Sequence, residues 1–354
     1  MESLIRDQIV DHLTRNNLLT DDQHGFVPGR DCTTQLLLCI EKWSKLVEDG
    51  HNFDIIYTDF SKAFDSVPHE RLFAKLQSLG IDGNLLRWIK SFLINRIQCV
   101  NVEGFKSFWT AVLSGIPQGS VLGPILFVIF INDLPLEIKH NMCKLFADDC
   151  KLYGIVQNCS DNTLQADLTN LENWSLKWQL PFNTKKCKVM HIGKKNPMTP
   201  YQLHNKELDS TESEKDLGVM MDNSMKFHTH TSFAVKKANQ ILGVIKKSFK
   251  TRDASTLLSL YKSFVRPYLE YGSMVWGPHF KADQQKIESV QRRATKIISG
   301  MYNLSYEERL KTLNLASLAF RRDTTDMKTC YNIVNGIVRM DPEEIFTFGP
   351  TTAT

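Results

Sequence analysis

No CxxC pair and no Cys/His cluster with zinc-ligand spacing occurs in the chain. Its eight cysteines, Cys32, Cys39, Cys99, Cys143, Cys150, Cys159, Cys187 and Cys330, stand scattered. A zinc finger or a disulfide framework is thereby excluded, and the thiols are expected to be reduced, mostly buried and without a site. Long apolar runs are missing as well. The longest, Val121 to Ile131, is broken by Gly123 and Pro124, and a bilayer span needs roughly 20 residues. The opening MESLIRDQIVDHL carries acids in its first turns and no unbroken apolar core, so it reads as neither a signal nor a transit peptide. No membrane segment is expected, and the location is expected to be intracellular, in nucleus, cytoplasm or both. Internal repeats and low-complexity linkers are absent too.

What remains is an ordinary globular composition, 42% hydrophobic and 23% charged, in 354 residues, enough for about two domains. The net charge of +4 conceals an asymmetry. Lys226 to Cys330 holds 19 Lys and Arg against 8 Asp and Glu, a local net of +11, which leaves −7 for the rest. Concentrated basic charge suits a polyanion, although charge alone fits a solvated helical face better.

Hydrophobic periodicity divides the chain into an α+β part over about 1–225, a basic helical part over 226–335, and a tail over 336–354 that loses periodicity and is expected to be poorly ordered. Leu4, Ile5, Ile9, Val10 and Leu13 recur at helical spacing. The QHGFVPGRD stretch demands a loop, and Thr33 or Thr34 can cap a helix bearing Leu37, Ile40, Trp43, Leu46 and Val47. Phe53 to Phe60 reads as a buried strand, followed by helices near 69–79 and 83–95. Cys99–Val102 and Phe108–Leu113 read as a strand pair around Gly104. SGIPQGSVLGP reads as a loop entering a helix that ends near Asn132. Cys143 to Tyr153 reads strand–turn–strand, Leu164–Trp178 as a helix, and Val189–Ile192 and Leu217–Met221 as strands.

Asp148-Asp149 sits at that turn between Leu145-Phe146-Ala147 and Leu152-Tyr153. An Asp-Asp pair alone is weak evidence, since Asp21-Asp22 is another and suits a turn or helix cap. Two adjacent acids between buried strands repel one another unless a cation offsets them. Phosphoryl transfer by two metal ions needs such carboxylates on rigid backbone, and a strand-end aspartate, Asp59, is available to join them. The residues by themselves leave a metal site and a solvated hairpin tip equally open.

YTDFSKAFDSVPH (57–69), SGIPQGSVLGP (114–124) and LFADD (145–149) stand in the order and spacing of the palm motifs of reverse transcriptases. Their wording resembles non-LTR, LINE-type retrotransposons of the jockey and chicken-repeat branch. HGFVPGRDCTTQL resembles the fingers motif, NTKKCKVMHIG the lysine-bearing motif after the catalytic hairpin, EKDLGVMMD the primer-grip hairpin, and VRPYLEYGSMVWGP the helical region. Together they cover about residues 5 to 325.

The resemblance implies a right-hand polymerase fold, α+β, with partial fingers, a palm built on an antiparallel sheet with packed helices, and an all-helical thumb. It implies Asp59, Asp148 and Asp149 as catalytic ligands of two Mg²⁺ ions, with Mn²⁺ as a substitute. Phe64 matches the aromatic that excludes a ribose 2′-hydroxyl, against the plain alternative of a core Phe at a helix start. Gln118 and Gly119 match the loop beside the incoming nucleotide. Arg30 is expected to contact the triphosphate from the fingers, with the alternative of a surface arginine in a turn, and Lys186 matches the lysine expected to assist pyrophosphate departure, both as nucleotide-binding residues. Ser61 and Asp65 are expected only to cap the helix after the strand. Lys236, Lys237, Lys246, Lys247, Arg292, Arg293 and Lys296 would neutralise template–primer phosphates, with about half of them expected to touch nothing. RNA template, DNA primer and dNTPs are the implied partners, together with a full-length element protein or its RNA. The first fingers strands and an endonuclease are expected to be missing from this chain. A catalytically inactive remnant that only binds template–primer is therefore the alternative. A metal nuclease fits poorly, since it explains neither Phe64 nor the PQG loop.

Overall fold

The structure is a computed structural model and describes residues 1–158 and 160–347. The expectation for the Cys159 thiol, and that for the tail from 348 on, fall outside the described residues. Two compact units emerge: Met1–Asp31 with Leu46–Thr211, and Cys32–Lys45 with the chain from Glu212 onward.

The first unit is organised by a five-stranded sheet of β1 (Phe53–Thr58), β2 (Met142–Phe146), β3 (Asp149–Ile155), β4 (Lys188–Ile192) and β5 (Asp209–Ser210). Their order is β5-β4-β1-β3-β2, antiparallel except for the parallel pairing of β5 with β4. β1 is buried at nearly every position because it is central and covered on both faces, so its sequence, Phe-Asp-Ile-Ile-Tyr-Thr, lacks the regular polar alternation of a one-sided strand. Helix Gly123–Ile131 (GPILFVIFI) is apolar all round, and every residue but Pro124 is buried. Pro124 in its first turn lacks the N–H that would have no partner there. Helices His69–Ser78 and Thr163–Trp178 join the same core, where each fully buried Leu, Ile or Phe contributes roughly 1.5–3 kcal/mol.

Two buried polar groups inside this unit are fully partnered. Asp54, wholly buried on β1, accepts from Tyr201 Oη (2.7 Å), Asn196 Nδ2 (2.7 Å) and His191 Nδ1 (2.9 Å), tying β1 to β4 and to the segment after it. Lys75 pairs with Asp133 and donates to the Phe130 carbonyl. Its ammonium also lies 3.7 Å from the Trp178 ring centroid, 4.7 Å from that of Trp174 and 4.8 Å from that of Phe130. Burial outweighs the Asp133 charge and brings its pKa down to about 8.

Among its described residues the second unit is helical apart from a hairpin, Ser213–Asp216 with Val219–Asp222. The expected strand Leu217–Met221 is thereby corrected. Leu217 and Gly218, with φ of 44° and 90°, form the two-residue turn, a conformation the hairpin's twist demands. Helices His228–Ser248 and Lys281–Lys296 pack together, with Ala234, Ala238, Leu242, Val290 and Ala294 buried on them, and Leu318–Val334 packs on the latter. Tyr306–Thr312 opens with a full capping box between Ser305 and Glu308. Helix Cys32–Glu48 places Leu38 in a cluster with Ile333 and Met340, with Leu37, Val338, Ile345 and Phe346 around it.

Several local expectations shift. The second helix begins at Cys32, so neither Thr33 nor Thr34 caps it, and Thr34 is buried within its first turn. The pairing around Gly104 is two short nested ladders, Ile97–Gln98 with Thr110–Ala111 and Asn101–Val102 with Phe105–Lys106. Cys39, Cys143, Cys150 and Cys187 are buried thiols outside any disulfide, while Cys32, Cys99 and Cys330 are half-buried. No helix among the described residues is long and apolar enough to cross a membrane.

Candidate active site

β1 ends at Thr58, whose register partner on β3 is Cys150. Asp59 therefore leaves the sheet beside the β2–β3 turn. Its backbone is held by the turn that precedes β4: Asn183 N–H donates to the Asp59 carbonyl at 2.7 Å, and Asp59 N–H points at Cys187 Sγ at 3.5 Å. Burial pushes the Cys187 thiol up to about 11, so it stays neutral beside the carboxylate. On the other side the hairpin turns through Ala147, at φ 52°, and Asp148, and β3 starts at Asp149.

Asp59 and Asp148 are brought together. Burial raises the Asp148 pKa first, its own backbone N–H lowers it, the Asp59 charge raises it further, and Lys186 lowers it. Lys186 Nζ lies 3.1 Å from Asp59 Oδ2 while its side chain is 68% exposed. That ion pair lacks hydrogen-bond geometry, and Asp59 Oδ2 is buried with no hydrogen-bond partner. A buried carboxylate oxygen is costly unless a cation offsets it, and here that cation is a solvent-exposed ammonium on a flexible stem. Asp149 is exposed. Among the described residues no three His, Cys, Asp or Glu side chains converge on one metal position. Mg²⁺, however, takes one or two protein carboxylates and completes its shell with phosphate and water. Asp59 and Asp148, one met only by an exposed ammonium and one desolvated beside it, fit that requirement.

The loop 114–119 is zipped onto the short helix Ala63–Ser66 that follows Asp59. Gly115 N–H donates to the Val67 carbonyl and Ile116 N–H to that of Phe64, both at 2.8 Å, and Ser114 Oγ donates to the Asp65 carbonyl at 3.0 Å. His69 Nε2 donates to the Gly115 carbonyl at 2.8 Å. Only glycine fits at 115, because a Cβ there would lie 2.6 Å from Asp65 O at φ 90°. Gln118 Nε2 then reaches Asp65 Oδ1 at 2.9 Å, while a Cβ on Gly119 would meet open space. Phe64 is half-buried, stacked on Phe127 with ring centroids 4.4 Å apart. Asp65 and Ser61 do not cap the helix, whose N-cap is Lys62 without a side-chain bond. Asp65 holds Gln118 instead, and the Ser61 carbonyl accepts from Ser66 Oγ.

Arg30 is not presented to these groups. Its guanidinium is buried against the turn before it, donating to the carbonyls of Thr20, Asp21 and Gln23 and to Asp21 Oδ1 at 2.6 Å. In the second unit Lys236, Lys237, Lys246, Lys247, Arg292, Arg293 and Lys296 are all exposed. Arg293 donates to Asn239 Oδ1 at 2.7 Å, Arg292 lies over Tyr306 and Lys296 over Tyr302. Among the described residues no hydrogen bond or ion pair engages the side chains of Lys236, Lys237, Lys246 and Lys247.

Two contributors have roles that the sequence did not signal. Gln23 touches the hairpin turn, and Asp65 holds Gln118. Their partners lie 124 and 53 positions away, a separation that no local pattern encodes.

A family model described as "Reverse transcriptase (RNA-dependent DNA polymerase)" matches residues 1–245. The chain is 28% identical over 313 residues to the "Probable RNA-directed DNA polymerase from transposon BS" of Drosophila melanogaster, covering 84% of this chain and 34% of that protein. It is 26% identical over 313 residues to the RNA-directed DNA polymerase from mobile element jockey of the same organism, covering 85% and 34%. It thus spans about a third of the length of these curated relatives. A solved telomerase structure from Candida albicans aligns over 89% of this chain and 57% of that chain at 10% identity with a TM-score of 0.49.

Proposed function

The chain belongs to the reverse transcriptase (RNA-dependent DNA polymerase) family, and on that premise we propose that it is the polymerase core of a non-LTR retrotransposon enzyme. It adds dNTPs to the 3′-hydroxyl of a DNA primer on an RNA template. The observation that carries this reading is the pairing of Asp59 and Asp148, with Asp59 Oδ2 buried, without a hydrogen bond and offset among the described residues only by the exposed Lys186 ammonium. These two carboxylates, with Asp149 beside them, would hold divalent cations, two Mg²⁺ or Mn²⁺ in their place. Such ions supply an activated 3′-hydroxyl and neutralise charge on the transferred phosphoryl group and the leaving pyrophosphate.

The protein's own groups do the rest. Lys186, on an exposed stem, offsets Asp59 now and offers its ammonium to the triphosphate once Asp59 is otherwise neutralised. Phe64, braced by Phe127, supplies a wall against a 2′-hydroxyl. Gln118, steadied by Asp65, and the unobstructed backbone of Gly119 face the nucleotide. The seven exposed cations of the second unit, read as a thumb, neutralise template–primer phosphates without reading sequence.

The test is incorporation of dTTP on poly(rA)/oligo(dT) with Mg²⁺ or Mn²⁺. Asp148→Asn should lower it by at least about a hundredfold, the scale on which charge-stabilising groups act. Equal incorporation by that variant sinks the site. Template–primer binding by the unaltered chain with no incorporation under either cation overturns the enzyme reading in favour of an inactive binding remnant.

A further inference from the structure

The hairpin that carries Asp148 is braced from outside the sheet. Residues 22–25 run alongside β2: Leu145 N–H donates to the Asp22 carbonyl and His24 N–H to that of Leu145, both at 2.9 Å, with Gln23 and Leu145 bridged in parallel. Gly25 closes the approach, since a Cβ there would lie 2.3 Å from Ala147 N. Gln23 is completely buried in this contact. Its Oε1 accepts from Ala147 N–H (2.9 Å) and Gly25 N–H (2.7 Å), and its Nε2 donates to the Ala147 carbonyl (3.3 Å).

One primary amide therefore engages both peptide groups of the residue before Asp148. That residue, Ala147, stands in the left-handed region at φ 52°, which a Cβ-bearing residue rarely adopts unless its surroundings impose it. A two-residue hairpin turn leaves these groups outside the ladder, where a buried N–H needs a partner. Gln23 supplies donor and acceptor at once, which neither Glu nor Leu can do.

We infer that Gln23 is a positioning residue: its side-chain amide holds Ala147 in the left-handed turn and so sets where the Asp148 carboxylate is presented beside Asp59. The inference rests on the reading of Asp148 as a cation ligand, but the clamp itself can be measured without it.

The experiment uses the full chain and its Gln23→Leu and Gln23→Glu variants, with two readouts. The first is residue-resolved amide hydrogen exchange. Loss of the bond to Oε1 should speed exchange at Ala147 about tenfold, the worth of one buried hydrogen bond, in Gln23→Leu. Gln23→Glu, which keeps an acceptor, should fall between it and the unaltered chain, and the amides of Ile55, Leu152 and Tyr153 should be unmoved. The second is Mn²⁺ titration followed by electron paramagnetic resonance, with Asp148→Asn as the floor. Half-saturation should rise several-fold in Gln23→Leu and be partly restored in Gln23→Glu. Exchange at Ala147 that is unchanged, or that rises in step with the whole sheet, overturns the clamp, and Gln23→Glu decides this if Gln23→Leu does not fold. A faster Ala147 amide with Mn²⁺ affinity equal to the unaltered chain overturns the positioning role. Absence of Mn²⁺ binding in the unaltered chain overturns the cation-ligand reading, and with it the positioning role, while the exchange data still decide the clamp.

Discussion

Replacing Gly115 by alanine tests how the nucleotide-side loop is seated. The added methyl would sit 2.6 Å from Asp65 O, 2.7 Å from its Cα and 2.9 Å from its carbonyl carbon. All three are backbone atoms that cannot rotate aside. Non-bonded carbon contacts are optimal at about 3.5–4.0 Å, so loop and turn must part by roughly 1 Å. That separation strains the hydrogen bonds from Gly115 N–H and Ile116 N–H, both 2.8 Å. Forcing a Cβ into a tightly packed contact costs about 1–3 kcal/mol. Holding alanine at φ 90° adds about 1–2 kcal/mol. Gly104→Ala separates the two effects, because Gly104 has nearly the same φ, 92°, with nothing within 4 Å of its Cβ. By urea denaturation Gly104→Ala should lose about 1 kcal/mol and Gly115→Ala about 3–4 kcal/mol. Under conditions where Gly115→Ala remains folded, its KM for dTTP should rise several-fold, since Gln118 loses its seat on Asp65. Equal destabilisation by the two substitutions would refute the close approach as the reason for glycine at 115.

Two further outcomes follow from charge. Burial holds His24 down to about 3, helped by Arg30 and Lys144, and His230 down to about 4, helped by Lys215. Both therefore stay neutral in the folded chain while their unfolded counterparts protonate near 6.5. Stability is complete above that pH and is lost as the pH falls from 6.5 toward 3–4, by about 2 kcal/mol per histidine at pH 5. Urea midpoints at pH 7 and 5 check this, the loss should shrink in His24→Gln and His230→Gln, and a flat profile contradicts it. For the basic face, replacing Lys236, Lys237 and Lys247 together by Gln should reduce the slope of log affinity against log salt by about 0.9 for each phosphate left without its cation. Fluorescence anisotropy of labelled template–primer across a KCl series reads the slope, and no change would remove these lysines from the interface.

Local order was legible in the sequence because it depends on neighbours within a turn or two. The apolar stretch of β1, the all-round hydrophobic helix 123–131, the hairpin around Asp148-Asp149 and the helical C-terminal half all follow from residue spacing. So did the candidacy of Asp59 and Asp148, since a strand end and a hairpin tip are where rigid backbone can present carboxylates. What each side chain does with its polar atoms was decided only by tertiary structure. Arg30 reads as a phosphate contact by sequence, whereas in the fold its two terminal guanidinium nitrogens are engaged by three carbonyls and Asp21. Asp65 reads as a helix cap until the loop beyond Gly115 brings Gln118 to it. Helix Cys32–Glu48 is amphipathic by sequence, but that its Leu38 meets Ile333 and Met340 is a matter of the chain returning from its far end. The physical reason is the same in each case. Periodicity records which face of an element is apolar, whereas a hydrogen bond or an ion pair is settled by whichever distant group packing brings within about 3 Å of it.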